Sequence, residues 1–302
     1  MAELQTEKNL EELQQIITSW LERRLDGNAV EWVAEKSERL KNGAEDWEFF
    51  TSFSAVPRYT GKDSLELTED EQEQAQNVRK GWQPQHWSVD ELTRTYMALS
   101  IGNRPAEEFL DLLDKTFTTA DIGESVALYK SIAILPYPEK LRKRAAEGLR
   151  TNINSVFNAV SLYNPYPADY LDEGAWNQMV LKALFVGTPL YPMEGLDRRA
   201  NKTLARMLVD YAHERWAASR TVSPELWRPV GPFAKGDFVK DLGKVLQNDD
   251  ALRQQAGVLA LSASPSDEAK KMLDAHQELV ESVEKSGITW DEIGKAFDER
   301  GE

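Results

Sequence analysis

Three polar residues interrupt an apolar segment near the middle of the chain, and their types can bind or react with a small molecule. Residues 175–186 read AWNQMVLKALFV and include Asn177, Gln178 and Lys182. If the segment is a helix, apolar residues surround its axis, which is typical of a buried helix. Buried amides need hydrogen-bond partners. A desolvated lysine has a lowered pKa, which suits a general base or a Schiff-base amine.

We therefore consider Lys182 a catalytic candidate, and Asn177 and Gln178 ligand-binding candidates. Gln178 and Lys182 are four residues apart and share one helix face, while Trp176 offers a ring for stacking. A purely structural role is also compatible with the pattern. The amides would then cross-link neighbouring helices or hold the preceding NPYP loop, and Lys182 would extend to solvent.

A second candidate lies in the next helical segment, at about residues 201–219. Its apolar stripe begins at Leu204, and at 100° per residue Arg215 lies only about 20° from that stripe. We expect Arg215 to point toward the core or a cavity, where a guanidinium needs an anion or several acceptors. Alternatively, Arg215 closes the helix C-terminus or pairs with an internal carboxylate.

Neighbouring residues of this segment extend the candidate set. Glu214 lies about 80° from Leu204 on the flank of the stripe and is a second acid–base candidate. Trp216 could stack on a ligand. His213 lies opposite the stripe, so we expect it to face solvent and take no part in catalysis.

Two adjacent arginines, Arg198 and Arg199, precede the same helix, and Asp197 could cap its start. Arginines at a helix N-terminus can form an anion site, because the free N–H groups add positive potential. The alternative is that both pair with surface acids.

Other kinds of chemistry lack support in the sequence. The chain has no cysteine and three widely separated histidines, and no HExxH, GxGxxG, GxxxxGK[ST] or GxSxG motif occurs. We therefore expect no metal site and no cofactor.

Helical periodicity dominates the segments that would position these residues. One stripe near the start predicts a helix ended by Gly27, and its residues are Leu10, Leu13, Ile17, Trp20 and Leu21. Later helices are predicted to begin at a Ser88–Glu91 capping box, at Pro105 and at Thr119 or Asp121. No run of alternating residues predicts a sheet.

The expected fold is therefore all-α, with about a dozen helices. Short connections predict that sequential helices pack antiparallel, and degenerate helix pairs favour a HEAT-like, helical-repeat α/α superhelix. We predict a single domain over residues 1–302, with an N-terminal helical half at 1–130, a central region at 131–233 and C-terminal helices at 234–302.

Charge limits the possible partners. The net charge of the 302 residues is -15, and this average field disfavours nucleic acid. The acidity is also compatible with a merely solvated surface. The N-terminus lacks a secretory leader pattern and no apolar run reaches about 20 residues, so we expect a cytoplasmic protein without a membrane span.

The central region differs from the rest of the chain. Residues 164–233 contain eight Lys or Arg and eight Asp or Glu, so their charges cancel, and nine of the 13 prolines lie between Pro136 and Pro232. Rigid loops on a helical scaffold often carry binding residues, although these loops could also be tight corners. We expect a binding site here.

The central region also resembles the EboA-domain family. The resemblance is carried by five blocks in the family's order and spacing: SIAILPYPEKL, EGLRTN, YNPYPADYLDEGAWNQMVLKALFVG, GLDRRANKTLARMLVDYAHERWAASR and VSPELWRPVGPF. The matching motif positions in this chain are Arg150, Asn152, Asn164, Tyr166, Asn177, Gln178, Lys182, Arg198, Arg199, Asn201, Glu214, Arg215 and Trp227.

This resemblance implies an all-helical cytoplasmic protein of bacterial secondary metabolism. Family members are encoded beside a UbiA-like prenyltransferase, a TatD-like hydrolase and sugar-phosphate-type enzymes, in clusters that move a small-molecule precursor to the periplasm. The resemblance implies no catalytic mechanism. It adds Arg150, Asn152, Asn164 and Tyr166 to the ligand-binding candidates.

Two hypotheses for function follow. In the first, a central pocket binds a small polar or anionic metabolite that has an aromatic or apolar part, and the protein acts as an enzyme or carrier. In the second, the protein is a noncatalytic helical scaffold that recruits pathway enzymes or a membrane prenyltransferase. Convergence of Asn177, Gln178, Lys182 and Arg215 on one cavity would favour the first, and mutual saturation in solid packing the second.

Overall fold

The computed structural model describes residues 7–301, and the described chain is built from helices. Seventeen α-helices and four short 3₁₀ turns occur in this range, and the one extended pairing there is an isolated bridge between Ser64 and Ser88. The all-α prediction is confirmed. The helices outnumber the predicted dozen because several are short; one of them has only five residues.

The chain packs into two compact units, of which the first ends at Leu171. In this unit one helix, α5, is buried along nearly its whole length and contacts α1, α2, α3 and α7. The helices are α1 (Glu7–Glu22), α2 (Gly27–Lys41), α3 (Asp46–Thr60), α4 (Glu69–Val78), α5 (Val89–Ser100), α6 (Ala106–Thr119), α7 (Ile122–Ser131), α8 (Arg142–Arg150), α9 (Asn154–Ser161) and α10 (Tyr166–Tyr170).

The second unit begins at Asp172 and is organised around α14, which contacts α13, α15, α16, α17 and two 3₁₀ turns. The 3₁₀ turns are Pro224–Trp227 and Gly231–Phe233. The helices are α11 (Glu173–Val186), α12 (Lys202–Ala217), α13 (Asp237–Leu246), α14 (Ala251–Ser262), α15 (Asp267–Asp274), α16 (Gln277–Ser286) and α17 (Trp290–Asp298).

The boundary between the units falls inside the 131–233 segment that the sequence analysis treated as one region. The single-domain organisation and the superhelix stay predictions. Among the described residues, no helix combines the length and the apolar character that crossing a membrane requires.

The predicted apolar stripe of the first helix is confirmed, because all five of its residues are buried in α1. The predicted stop at Gly27 is wrong. The helix ends at Glu22, and Gly27 is the first residue of α2. The preceding Asp26 carboxylate accepts a hydrogen bond from the Ala29 N–H at 2.9 Å and so caps that new helix.

Three predicted helix starts are found. Before α5, the Glu91 carboxylate accepts the Ser88 N–H at 2.8 Å. Helix α6 begins directly after Pro105. Of the two residues considered for α7, Asp121 is the cap, since its carboxylate accepts the Glu124 N–H at 2.7 Å.

Two structural expectations for α11 and α12 are wrong. The Asn177 side chain bonds that of Asn201 at the starts of the helices, and the Tyr211 hydroxyl donates to the Leu184 carbonyl at 3.3 Å further along both. The two helices are therefore parallel and not antiparallel. The linker at residues 187–201 is long enough to bring the chain back from the end of α11 to the level of its first turn. Helix α11 is also not buried all round, because Phe185 is 76% exposed.

Close packing of the second unit gives a first prediction. A Cβ atom on Gly231 would lie 2.5 Å from the carbonyl oxygen and 2.9 Å from the Cα of Ala260 in α14. We expect Gly231→Ala to lower the free energy of unfolding by about 1–3 kcal/mol, because two backbone segments must separate. Urea denaturation measures this change.

The matched control is Gly174→Ala in the first turn of α11, where the new Cβ would meet only the Asp172 carboxylate at 3.4 Å. Alanine at this exposed helical position should leave stability unchanged or raise it by up to about 1 kcal/mol. Equal urea midpoints for Gly231→Ala and Gly174→Ala would contradict the prediction.

Candidate functional site

A cavity of about 300 Å³ lies in the second unit, where the C-terminal ends of α11, α12 and α17 meet the turn at Pro224–Trp227. Both polar and apolar side chains line it. The lining residues are Leu184, Gly187, Thr188, Pro189, Tyr211, Arg215, Thr221, Val222, Ser223, Glu225, Phe297, Asp298 and Gly301.

The most unusual group of this cavity is the carboxyl of Glu225, which is only 2% exposed. Its Oε2 accepts the Leu190 N–H at 3.0 Å, whereas its buried Oε1 has no hydrogen-bond partner among the described residues. Burial raises the pKa of Glu225 to about 7, and the backbone N–H groups of Leu190 and Tyr191 offset only part of this effect. The carboxyl is thus poised to be protonated or ionised near neutral pH.

Helix α17 closes over this carboxyl. A Cβ atom on Gly294 would lie 2.5 Å from the Glu225 Oε1 and 2.6 Å from the Tyr191 ring. Only glycine permits so close an approach of the helix backbone, and this approach keeps water away from the carboxyl.

Arg215 supplies a cation to the same cavity from the last turn of α12. Its Nε donates to the Thr221 carbonyl at 3.0 Å, which holds the side chain across the end of the helix. Among the described residues, no carboxylate forms an ion pair with Arg215 within 4.0 Å. Its terminal N–H groups are therefore available to an anion, in a geometry that suits a carboxylate or phosphate.

The remaining walls separate into apolar and polar parts. Leu184, Val222 and Phe297 provide apolar surface, and Thr188 and Ser223 add hydroxyl groups. The site can therefore hold a molecule with an anionic group at Arg215, a hydrogen-bonding group and an apolar body, which is the usual composition of a small-molecule site.

Of the predicted site residues, Arg215 alone lines this cavity. Asn177 is 2% exposed, and its side chain exchanges two hydrogen bonds with Asn201, at 2.9 and 3.3 Å. Asn201 also caps α12 by accepting the Leu204 N–H at 2.8 Å. Asn177 therefore joins two helices, as the structural alternative describes.

Gln178 and Lys182 occupy different environments. The expected burial of Gln178 is wrong, because its side chain is exposed on α11. Lys182 is half-buried, and burial lowers its pKa. It is not among the residues that line the cavity.

Asn164 and Tyr166 lie in the first unit and hold its irregular loop. The Asn164 amide donates to the carbonyls of Tyr129 and Ala159, both at 3.1 Å, and its Oδ1 accepts the Tyr166 N–H at 3.0 Å. The Tyr166 hydroxyl donates to the Pro138 carbonyl at 2.6 Å. Every polar group of these two side chains thus has a protein partner.

The arginine candidates are dispersed. Arg150 and Asn152 are exposed in the first unit, and Arg198 is exposed before α12. The Arg199 guanidinium lies over the Trp176 ring, 5.1 Å from its centroid. The predicted cap at Asp197 is wrong, since Asn201 caps α12 and the Asp197 carboxylate pairs with Arg228 at 2.7 Å.

The aromatic and acid–base candidates also lie outside the cavity lining. Trp176 is fully buried, and Trp216 stacks on Trp227 with ring centroids 5.8 Å apart. Glu214 is exposed. The His213 side chain is 49% exposed, as expected, but its Nε2 lies 2.8 Å from the buried Asp241 carboxylate.

Sequence reasoning did not select Glu225, although it belongs to the quoted block VSPELWRPVGPF. The available signal was a single carboxylate between Pro224 and Leu226 in a segment of apolar residues. Phe297 and Asp298 gave no signal, because they lie far along the chain in a helix that did not enter the resemblance.

Comparison with known proteins identifies the family. The family model described as metabolite traffic protein EboA matches residues 13–231. The match covers most of the chain, so this protein belongs to the EboA family, which confirms the predicted resemblance. The comparisons with curated proteins and with solved structures each found no match.

The matched region ends before α13. Most of the cavity wall, including Arg215 and Glu225, lies inside the match, whereas Phe297, Asp298 and Gly301 lie outside it. Helix α17 and the residues just after it therefore complete a cavity that the family region begins.

The raised pKa of Glu225 predicts a pH dependence of stability. Its folded-state pKa of about 7 exceeds the ordinary value of 4.5. Between pH 4.5 and pH 7, therefore, the carboxyl keeps its proton in the folded state and loses it in the unfolded state. Stability from this group is complete below pH 4.5 and decreases by about 3 kcal/mol as pH rises to 7. Glu225→Gln should remove this decrease, so the variant gains stability relative to the parent from pH 5.5 to pH 8.

Urea denaturation of both proteins at the two pH values measures the effect. Glu214→Gln is the control, because Glu214 is exposed and the substitution should leave the pH dependence of the parent unchanged. Parallel stability curves for the parent and Glu225→Gln would show that the carboxyl is not protonated preferentially in the folded state.

Proposed function

We propose that this protein binds a small, anion-bearing metabolite in the cavity beside Arg215 and Glu225. The observation that carries the proposal is the position of the Arg215 guanidinium. It lines the cavity and has no carboxylate partner among the described residues. An arginine in such a place gains most from a ligand carboxylate or phosphate, which accepts two parallel hydrogen bonds. The family description, metabolite traffic protein, supports the same role.

The volume of the cavity and the charge of its lining limit the kind of ligand that fits. A volume of about 300 Å³ lies at the lower end of small-molecule sites, so we propose a compact metabolite. Its anionic group would face Arg215, and its apolar or aromatic part would contact Leu184 and Phe297. A hydroxyl or amine of the ligand would form a hydrogen bond with the Ser223 hydroxyl, which lines the same cavity.

The cellular setting is part of the proposal. We place the protein in the cytoplasm of a bacterium, in an Ebo-type pathway of secondary-metabolite biosynthesis or export, where it would hold the metabolite between pathway proteins. A chemical role for Lys182 and Glu214 is a separate proposal. Neither residue lines the cavity, so binding does not depend on it.

A noncatalytic scaffold is the second candidate function, and one observation favours it. Asn177 and Asn164, two of the polar residues shared with the family, are saturated by protein partners and act as internal struts. A scaffold needs such rigidity and no open cavity. Under this proposal an outer surface would recruit pathway enzymes or a membrane prenyltransferase.

The binding proposal predicts that Arg215→Gln loses the metabolite. Protein purified from its own host would be examined by native mass spectrometry, and the released small molecules by liquid chromatography and mass spectrometry. Loss of a charge-assisted pair should reduce occupancy roughly tenfold or more. Arg220→Gln is the matched control, because Arg220 is an exposed arginine nearby that does not line the cavity.

Equal occupancy in Arg215→Gln and Arg220→Gln would contradict the cavity as the binding site. A co-purified protein with no bound metabolite in any variant would favour the scaffold instead. Circular dichroism of each variant confirms that lost binding does not come from lost folding.

A further inference from the structure

A second concave surface of the same unit lies between the start of α12, the start of α13 and the loop before α15. We call it the basic groove. It encloses about 520 Å³ and shares no residue with the cavity at Arg215. Its lining residues are Lys202, Arg206, Pro232, Phe233, Ala234, Lys235, Asp237, Phe238, Pro265 and Ser266.

Three cations line the basic groove, and no acid among the described residues neutralises them. Lys202, Arg206 and Lys235 are exposed, and none has an ion pair within 4.0 Å in the part of the chain that the structure describes. The acid in the lining, Asp237, pairs with Lys240 outside the groove at 2.7 Å. The groove therefore keeps a local excess of positive charge.

The repulsion between the cations of the groove costs free energy, although the protein is rich in acids that could pair with them. Lys202 and Arg206 are four residues apart on one face of α12, where like charges repel each other. The chain has 51 acids and 36 basic residues, so acidic partners for surface cations are plentiful. An anion bound between these side chains would relieve the repulsion that the protein itself leaves uncompensated.

Aromatic residues complete the surface. Phe233 and Phe238 are both half-buried, so each ring presents one part to the groove and packs the other against the unit. Pro232 and Pro265 border the groove with rigid backbone. A phosphate or sulfate ion would use only the cations, whereas a molecule with an apolar body would use the rings as well.

We infer that the basic groove binds a soluble amphipathic anion. Its aromatic or aliphatic body lies on Phe233 and Phe238, and its phosphate, sulfonate or carboxylate group lies among Lys202, Arg206 and Lys235. This site is additional to the proposed function, because Arg206 and Arg215 are nine residues apart on α12, roughly 13 Å along the helix axis. Most of the groove also lies after residue 231, beyond the family match.

The test uses two fluorescent probes of similar shape, the anion anilinonaphthalene sulfonate and its uncharged relative phenylnaphthylamine. The full-length protein should bind the anion more tightly than the neutral probe, with an affinity that falls as salt is added. The double variant Arg206→Gln/Lys235→Gln should weaken binding of the anion roughly fivefold to tenfold and leave the neutral probe unaffected.

Two controls localise the effect. Lys270→Gln/Lys271→Gln makes the same change in net charge at exposed lysines outside the groove and should keep the parental affinity. The comparison is also made in an Arg215→Gln background, so any loss caused by Arg206→Gln/Lys235→Gln there comes from the groove and not from the cavity. Phe238→Ser should weaken both probes, since it removes apolar surface and no charge.

Three outcomes would overturn the inference. The first is an equal affinity of the parent and Arg206→Gln/Lys235→Gln for the anionic probe. The second is an equal loss in the Lys270→Gln/Lys271→Gln control, which would indicate a general charge effect. The third is binding to phosphatidylglycerol vesicles without binding of the soluble anion, which would assign the groove to a membrane surface.

Discussion

The candidate site depends on how α11 is fixed beside α12. The amide pair of Asn177 and Asn201 joins the starts of the two helices, and the Tyr211 hydroxyl bonds the Leu184 carbonyl further along. Both C-terminal ends therefore lie on the same side of the unit. The negative ends of two helix dipoles favour a cation at that place and disfavour an ionised carboxylate. Arg215, the protonatable Glu225 and Asp298 are the charged or protonatable groups that line the cavity there.

The parallel arrangement also explains what could be predicted from the sequence. Apolar spacing predicted α12 well, because Leu204, Leu208 and Ala212 of its apolar stripe are buried. The same reasoning placed Gln178 inside the protein, because α11 carries apolar residues on every side. Apolar character alone does not bury a residue, as the exposed ring of Phe185 shows. Which face of α11 is covered depends on the elements that pack against it, and helical periodicity contains no information about them.

The residues that could not be predicted from the sequence were missed for one physical reason. Glu225 lies in a four-residue 3₁₀ turn, which is too short to have a periodic pattern. Its burial results from Gly294, almost seventy residues later, whose missing side chain lets α17 lie against the carboxyl. No local window of sequence contains both partners. The hydrogen-bonded role of Asn177 was foreseeable, because burial of any amide demands partners, but the identity of that partner, Asn201, was not.

The neutral central region shows why average charge is a weak guide to binding. Its basic and acidic residues are equal in number, yet they do not pair uniformly. Arg228 is held between Asp197 and Asp291, whereas Arg215 and Arg206 have no ion pair among the described residues. Coulomb attraction over a few ångströms in a partly desolvated site outweighs a diffuse surface potential that salt screens within about 10 Å. A cation of an acidic protein can therefore attract an anion where no nearby acid pairs with it, and Arg206 and Arg215 of α12 are two such cations in the described part of the chain.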